Sequence, residues 1–278
     1  MQDGCVESAR LFYLHVKKSL NDLGFKENNY DKCVFNKTID KTQITVGIHV
    51  DDLIISCEKQ HQIDILINEL TNIYKRVKVQ RDGTLKYLGM KFIIDGDKIK
   101  VDMSDYIKEI LQENNITGVA STPANCNLFN IHDNSILLNN SEKELFHTNV
   151  AKLLYLAKRS RPDILTAVTF LTGRVTCATQ EDNFKLNRIF NYLHGTLDIT
   201  LQLTGSKDMN IEAFIDSSFA VHQSAKSHTG GVITIGNGVV HCKSSKQKLN
   251  SKSSTEAELI GLSDYLPQVI WTISSRLC

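Results

Sequence analysis

The stretch GIHVDDLIIS (residues 47–56) places two adjacent carboxylates, Asp51 and Asp52, between two apolar runs of strand-forming residues. A buried carboxylate is costly unless it is paired or binds a metal ion, and two neighbouring carboxylates repel each other. At the tip of a β-hairpin, however, their charge can reach solvent or a cation. The pattern therefore leaves two interpretations open: a solvated turn, or a divalent-cation site for phosphoryl transfer.

The segments on either side of this stretch predict an α+β unit. Apolar residues recur at helical spacing from Glu7 to Leu23 and again from Ile63 to Ile73, which predicts two amphipathic helices. Two strand-like runs, CVFNKTI and QITVGIHV, precede the acidic pair. After the second helix, TLKYLGMKFIIDGDKIKVDM alternates and carries an Asp-Gly-Asp turn at residues 95–97, which predicts a hairpin.

The rest of the chain predicts a linker and a helical region. Residues 117–140 are polar and lack periodicity, which indicates a domain boundary. Ser141 and Glu144 have the spacing of a capping box. Helices are expected beyond it at about 142–158, 162–176 and 181–194.

A third region begins near Leu201. The runs IEAFID, GGVITIG and VVHCK predict short strands. Ser253 and Glu256 then have the spacing of a second capping box at the start of a last helix. Strands followed by a helix in this order are typical of the first half of an α/β unit.

The charge balance limits what the whole surface can bind. With 32 Lys and Arg against 31 Asp and Glu, the formal charge is +1, so nucleic-acid binding would depend on local basic clusters. Such clusters are more often solvated faces, so they support a nucleic-acid function without establishing it. The candidates are Lys75, Arg76, Lys78 and Arg81; Lys158, Arg159 and Arg161; and Lys243, Lys246, Lys248 and Lys252.

Cysteine usage and hydropathy predict a protein of the cell interior. The seven cysteines are scattered, odd in number and without Cys-x-x-Cys spacing, which disfavours zinc and disulfides. No apolar stretch approaches the ~20 residues that span a bilayer, and the start MQDGCVESAR has no signal-peptide pattern. We therefore expect no membrane partner and no secretion.

The motif HVDD resembles the Tyr-Val-Asp-Asp polymerase motif of copia-type LTR retrotransposon reverse transcriptases. Its surroundings resemble that family in the same order, over about 250 residues in all. The matching segments are GCVESARLFYLHVKKSLNDLGF, NNYDKCVFNK, KYLGMKFII, LLYLAKRSRPDILTAV and FKLNRIFNYLHGT.

The resemblance assigns roles to residues around the acidic pair. It implies that Asp51 and Asp52 are catalytic and bind the metal. It further implies a nucleotide and template side formed by Gly4, Glu7 and Ser8, and a primer side formed by His49, Tyr87, Leu88 and Gly89. His49 stands where the family usually has tyrosine, so its packing against a primer terminus would differ.

Two later segments, IEAFIDSSFA and STEAELIGLSD, resemble the ribonuclease H domain of the same family. The resemblance implies that Asp216 and Glu258 are catalytic and metal-binding, since two-metal hydrolysis of a phosphodiester needs several carboxylates around cations ~4 Å apart. Glu256 and Glu258 point in different directions on a helix. Glu258 is chosen because it matches the family's Ala-Glu-aliphatic step.

The implied fold class is α+β, in three parts. These are a partial polymerase palm at residues 1–116, a helical thumb or connection at 117–200, and a truncated ribonuclease H-like α/β domain at 201–278. The implied cofactor is Mg²⁺ or Mn²⁺, and the implied partners are an RNA template, a DNA primer, an RNA–DNA hybrid and deoxynucleotides. The implied location is a cytoplasmic particle or the nucleus.

The family's further carboxylates are expected outside this chain, before its first residue for the palm and beyond Cys278 for the nuclease. We therefore expect a piece of an RNA-directed DNA polymerase with ribonuclease H that is inactive alone, because carboxylates that act as a unit cannot be lost singly without large cost. Two alternatives remain: activity only within a longer polyprotein, or a non-catalytic nucleic-acid-binding remnant.

Overall fold

The computed structural model describes residues 6–81, 83–204 and 210–276. Within these ranges the chain is a mixed α/β protein with three antiparallel sheets and seven α-helices, which confirms the mixed class expected from the sequence. It divides into two compact units, one of residues 1–88 with 270–278 and one of residues 89–269. Gly4, assigned to the nucleotide side, lies outside the described residues.

The first unit has one four-stranded antiparallel sheet in the order β1-β2-β3-β4. In β3, Ile44, Val46 and Ile48 are buried, as the alternation of a half-buried strand predicts. They pack with residues of both helices, among them Leu20 and Leu66. Its elements are α1 (Val6–Asp22), β1 (Lys26–Glu27), β2 (Val34–Ile39), β3 (Thr42–His49), β4 (Asp52–Cys57), α2 (Gln60–Tyr74) and β5 (Thr84–Tyr87).

The second unit combines helices with two antiparallel groups of strands, β6-β7-β8 and β11-β10-β9. Gly96 has a φ of 61° in the turn between β6 and β7, which confirms the predicted Asp-Gly-Asp hairpin. Its elements are β6 (Met90–Asp95), β7 (Lys98–Asp102), α3 (Ser104–Glu113), α4 (Asn140–Arg159), α5 (Leu165–Thr172), α6 (Gln180–His194), β8 (Leu201–Thr204), β9 (Ile211–Ser218), β10 (His228–Ile235), β11 (Gly238–Lys246) and α7 (Ser254–Arg276).

The segment predicted as a linker, residues 117–140, has no helix before Asn140 but is packed against the helices. Leu128 and Leu138 are buried in the same apolar cluster as residues of α3, α4, α5 and α6. The Leu138 amide also donates to the carbonyl of Ala178 at 3.0 Å. The segment is therefore fixed along the surface of the helical core.

The predicted start of α4 was wrong by two residues. Asn139, rather than Ser141, caps the helix, and its side chain accepts from the Glu142 amide at 2.9 Å while the Glu142 carboxylate accepts from the Asn139 amide at 2.8 Å. The second box is confirmed in part. The Glu256 amide donates to Ser253 Oγ at 3.1 Å, whereas the Glu256 carboxylate accepts from Lys252 rather than from Ser253.

The helix expected at 162–176 is shorter and begins differently. Residues Pro162–Ile164 form one 3₁₀ turn, and α5 ends at Thr172. The chain leaves the helix at Gly173, whose amide donates to the Phe170 carbonyl at 3.1 Å. The apolar periodicity continues past this point, so it predicted too long a helix.

The described helices were compared with the requirements for crossing a membrane. None of those in residues 6–81, 83–204 and 210–276 combines the length and apolar character that a bilayer span requires.

Two histidines of the second unit share a buried hydrogen bond beside Phe129. His222 Nε2 and His228 Nδ1 are 3.0 Å apart, and His228 Nε2 is 2.7 Å from Ser244 Oγ. Burial lowers the pKa of each histidine to about 4, with the charge of Lys246 adding to the effect at His222 and the neighbouring His222 adding to it at His228.

Because of this histidine pair, the free energy of unfolding should depend on pH in the mildly acidic range. Unfolded histidine binds a proton near pH 6.5, so between about pH 6.5 and pH 4 the unfolded chain holds more protons than the folded one. The contribution of this pair to the free energy of unfolding should be constant above pH 6.5 and fall as pH decreases, by up to about 2 kcal/mol for each histidine at pH 5. Urea unfolding at pH 7 and pH 5 measures this. His228→Asn should flatten the dependence, and substitution of the exposed His61 should leave it unchanged.

Candidate functional site

The acidic pair lies at the tip of the β3–β4 hairpin. His49, the last residue of β3, is paired with Asp52, the first residue of β4, so Val50 and Asp51 form the turn. All four side chains are exposed, and the carboxylates are therefore free of the cost of burial. The tip can present both of them to a cation.

The hairpin tip is also strained. Val50 has a φ of 54°, a left-handed conformation that is a genuine outlier for a β-branched residue. Such a conformation costs on the order of 1–3 kcal/mol and persists only where the surrounding structure imposes it. Here the pairing of β3 with β4 on both sides of the turn imposes it.

Tyr87, expected on the primer side, lies within electrostatic reach of the acidic pair. Burial raises the pKa of the Tyr87 hydroxyl, and the charge of Asp52 raises it further, followed by Cys33 and Asp31. These last two residues lie in the segment NNYDKCVFNK, which resembles the family, but no role had been assigned to either of them. The Asp31 carboxylate accepts from the Cys33 amide at 2.8 Å, and the Cys33 carbonyl accepts from the Ile48 amide at 2.8 Å. This loop is thereby fixed against β3.

In the turn that follows Tyr87, the backbone of Gly89 lies close to the Tyr155 side chain. Leu88 and Gly89 have φ values of 52° and 71°, and a Cβ on Gly89 would lie 2.5 Å from the hydroxyl oxygen of Tyr155. In the second unit, the Tyr155 ring packs edge-on against Tyr106, with the Arg159 guanidinium 4.1 Å from its centre. Only glycine fits at position 89.

The nucleotide-side residues are not brought to the acidic pair. Glu7 is exposed and Ser8 half-buried in the first turn of α1. Within residues 6–81 and 83–88, no observed contact joins either of them to Asp51 or Asp52.

The backbone beside a second predicted carboxylate contacts another predicted carboxylate. Asp216 lies in β9 and Glu258 in α7, and the amide of Ser217, next to Asp216, donates to Glu258 Oε1 at 3.2 Å. Both side chains are exposed. Two acidic residues far apart in sequence are therefore carried by neighbouring segments of β9 and α7.

The donor chemistry of each pair fits a hard divalent cation. Mg²⁺ is commonly held by one or two carboxylates, with water and substrate phosphates completing the octahedron. Across the described ranges, however, no group of three or more His, Cys, Asp or Glu side chains is arranged to hold a metal ion. A metal ion bound at either pair would therefore need further ligands, such as water or substrate phosphates.

One lysine from each of two basic clusters lies near His241 in the second unit. Burial lowers the pKa of His241, and so do the charges of Lys158 and Lys243. Lys158 Nζ donates to the Cys242 carbonyl at 3.4 Å, and Lys243 Nζ donates to the Asp264 carbonyl at 3.1 Å. A lysine of α4 and a lysine of β11 therefore both lie near His241.

Arg161 was predicted as part of a basic surface cluster, but it is buried. Only 1% of it is exposed, because its guanidinium is hydrogen-bonded to Asp163 and Thr196. It was wrongly assigned to a surface that could bind a polyanion.

Comparison with known proteins gives a family match. Residues 3–126 match the model of the family described as reverse transcriptase (RNA-dependent DNA polymerase). No solved structure matches. The chain is 26% identical, over 98% of its length, to the retrovirus-related Pol polyprotein from transposon RE1 of Arabidopsis thaliana, of which it spans 18%.

Other relatives extend the likeness. The chain is 24% identical to the retrovirus-related Pol polyprotein from transposon TNT 1-94 of Nicotiana tabacum, over 96% of this chain and 21% of that one. It is 25% identical to an uncharacterized mitochondrial protein of Arabidopsis thaliana, over 82% of this chain and 94% of that one.

Proposed function

We propose that this chain, whose residues 3–126 match the reverse transcriptase family, carries part of an RNA-directed DNA polymerase and part of a ribonuclease H. Its homologues are copia-type Pol polyproteins of plant and yeast retrotransposons, and they cover most of the chain. The observation that carries the proposal is the exposed Asp51–Asp52 pair at a hairpin tip, with Tyr87 in electrostatic reach.

In the polymerase part, Asp51 and Asp52 would hold Mg²⁺ or Mn²⁺, which would supply neutralisation of phosphate charge for the transfer of a deoxynucleotide. His49, Tyr87, Leu88 and Gly89 support the DNA primer, and Gly4, Glu7 and Ser8 face the nucleotide and the RNA template. The palm occupies residues 1–116 and the helical connection residues 117–200.

In the nuclease part, residues 201–278, Asp216 and Glu258 would hold a divalent cation, which would supply Lewis-acid chemistry for hydrolysis of the RNA strand of an RNA–DNA hybrid. Their support is the hydrogen bond from Ser217 to Glu258, which brings the two acidic positions together. The proposed location is inside the cell, in a cytoplasmic particle or the nucleus.

By itself the chain is proposed to be inactive, with activity regained in a longer polyprotein. Two-metal chemistry needs more carboxylates than either pair supplies, and the described residues gather no larger group. Primer extension on an RNA template with Mg²⁺ or Mn²⁺ should therefore stay at background. Extension that Asp51→Asn abolishes would overturn the inactivity and support the polymerase assignment.

Metal binding tests the polymerase assignment even without turnover. Mn²⁺ titration followed by electron paramagnetic resonance should show weaker binding in the Asp51→Asn, Asp52→Asn variant. The matched control is Asp95→Asn with Asp97→Asn, because these are also two exposed carboxylates in a hairpin turn. Equal loss in both variants would mean that the acidic pair is a solvated turn.

A second function, binding of nucleic acid without catalysis, is favoured by Lys158 and Lys243, whose charges both act on His241. Changing both to alanine should weaken binding to an RNA–DNA hybrid and reduce the slope of log affinity against log salt by about 1 for each lysine that neutralises a phosphate. Fluorescence anisotropy between 50 and 200 mM salt, roughly the range over which such binding weakens, measures it. The control replaces the exposed Lys18 and Lys41 of the first unit. No binding at the lowest salt would eliminate this function.

A further inference from the structure

Gln247 connects three elements of the second unit from a buried position. It follows β11 directly, and 2% of it is exposed. Its Nε2 donates to the Ala257 carbonyl of α7 at 2.8 Å and to Thr229 Oγ1 of β10 at 2.9 Å, and it lies 3.4 Å from Ser217 Oγ of β9. One amide thus spans two strands and a helix.

Two of these contacts stand next to the second acidic pair. Ser217 follows Asp216 in β9, and Ala257 precedes Glu258 in α7. The amide of Ser217 also donates to the Glu258 carboxylate. The Gln247 side chain therefore joins the backbone segments that carry the two acids, from the buried side.

The chemistry of these contacts requires an amide nitrogen. The Ala257 carbonyl can only accept, so an N–H group must face it. Gln247 Oε1 is buried with no hydrogen-bond partner, an arrangement that costs on the order of 1–3 kcal/mol. The side chain is oriented to satisfy its nitrogen while its oxygen stays unpaired.

We propose that Gln247 is a positioning residue that sets the separation of Asp216 and Glu258 by holding β9, β10 and α7 together. The proposal rests on the ribonuclease H function proposed above. Gln247 itself does not reach the metal or the substrate. It acts through the two backbone segments, as groups behind metal ligands commonly do.

The test measures metal affinity in the full chain. In an Asp51→Asn, Asp52→Asn background, Mn²⁺ is titrated and followed by electron paramagnetic resonance, so that binding reports the second pair. Gln247→Met keeps the shape of the side chain and removes the donor. We expect Mn²⁺ binding at least about 10-fold weaker, the lower end of the range for groups that orient metal ligands.

A matched glutamine separates positioning from general stability. Gln62 is 4% exposed, belongs to the first unit and also bonds to a backbone carbonyl, that of Ile39. Gln62→Met should lower the melting temperature but leave Mn²⁺ affinity unchanged. If Gln247→Met lowers the melting temperature and binds Mn²⁺ as tightly as the background does, the residue is only structural and the proposal fails.

Two further variants keep the outcomes distinct. Gln247→Asn retains the amide but withdraws it by one methylene, so it provides a folded test if the methionine variant does not fold, and it should also bind Mn²⁺ more weakly. Asp216→Asn with Glu258→Gln should abolish the binding. If that double variant binds Mn²⁺ like the background, the nuclease site itself is wrong, whatever Gln247 does.

Discussion

Replacing Arg161 by alanine should lower the free energy of unfolding by about 1–3 kcal/mol, because it removes a guanidinium that is only 1% exposed and leaves the Thr196 carbonyl without this donor. Arg161 Nη2 donates to Asp163 Oδ2 at 2.7 Å, and Nε donates to Asp163 Oδ1 at 3.0 Å. Nη1 donates to the Thr196 carbonyl at 2.8 Å. The substitution therefore breaks the link between the turn after α4 and the end of α6.

The effect should depend on pH in a defined direction. Burial acts to raise the pKa of Asp163, but the hydrogen bonds and charge of Arg161, with help from Tyr192, outweigh it and hold the pKa below its usual value. The stabilisation is thus fully present above the unfolded pKa, about 4, and is lost as pH falls through the lower folded value. Urea unfolding at pH 7 and near pH 3 should show the penalty of Arg161→Ala shrinking in acid.

The control is an exposed pair of the same types. Arg81 Nη1 lies 2.6 Å from Asp64 Oδ1, and both side chains are more than 40% exposed. Arg81→Ala should cost at most about 1 kcal/mol, since solvent screens such pairs. A loss below that value for Arg161→Ala would show that burial of the guanidinium does not stabilise the fold.

Arg161 also shows where sequence reasoning stops. It stands in the run KRSRPD, which has the pattern of a basic surface. Its burial is decided by Thr196, a partner that no local spacing identifies. Gln247 is similar, since it lies in the polar run SSKQKLNS and contacts β9, β10 and α7 only after the chain has folded.

Other features followed from local physics and were predictable. The alternation around the acidic pair predicted a hairpin with the carboxylates at its tip, and β3 pairs with β4 in that way. The left-handed conformation of Val50 was not predictable, because valine disfavours it.

The predicted position of the α4 cap was wrong for another reason. Asn139 with Glu142, and Ser141 with Glu144, are equivalent local signals, and burial of the adjacent Leu138 accompanies the first.

Replacing Gly261 by alanine should lower the free energy of unfolding by about 2–3 kcal/mol, at the upper end for an overpacked site. In the middle of a helix this change normally stabilises by roughly 0.5–1 kcal/mol. Here a Cβ would overlap Ser217 Oγ and lie 3.1 Å from Thr229 Oγ1. Helix α7 would have to move away from β9 and β10, against the hydrogen bonds of Gln247.

The double variant Ser217→Ala, Gly261→Ala distinguishes this close approach from any other cause. Removal of the Ser217 hydroxyl takes away the atom that the new methyl group meets, so stability should recover most of the loss in urea unfolding. An equal loss in the single and double variants would place the strain elsewhere. Because Glu258 lies one turn before Gly261 on α7, displacement of the helix should also weaken the Mn²⁺ binding proposed for Asp216 and Glu258. The free energy of unfolding and the Mn²⁺ affinity of Asp216 and Glu258 should therefore both decrease in the single variant and both recover in the double variant.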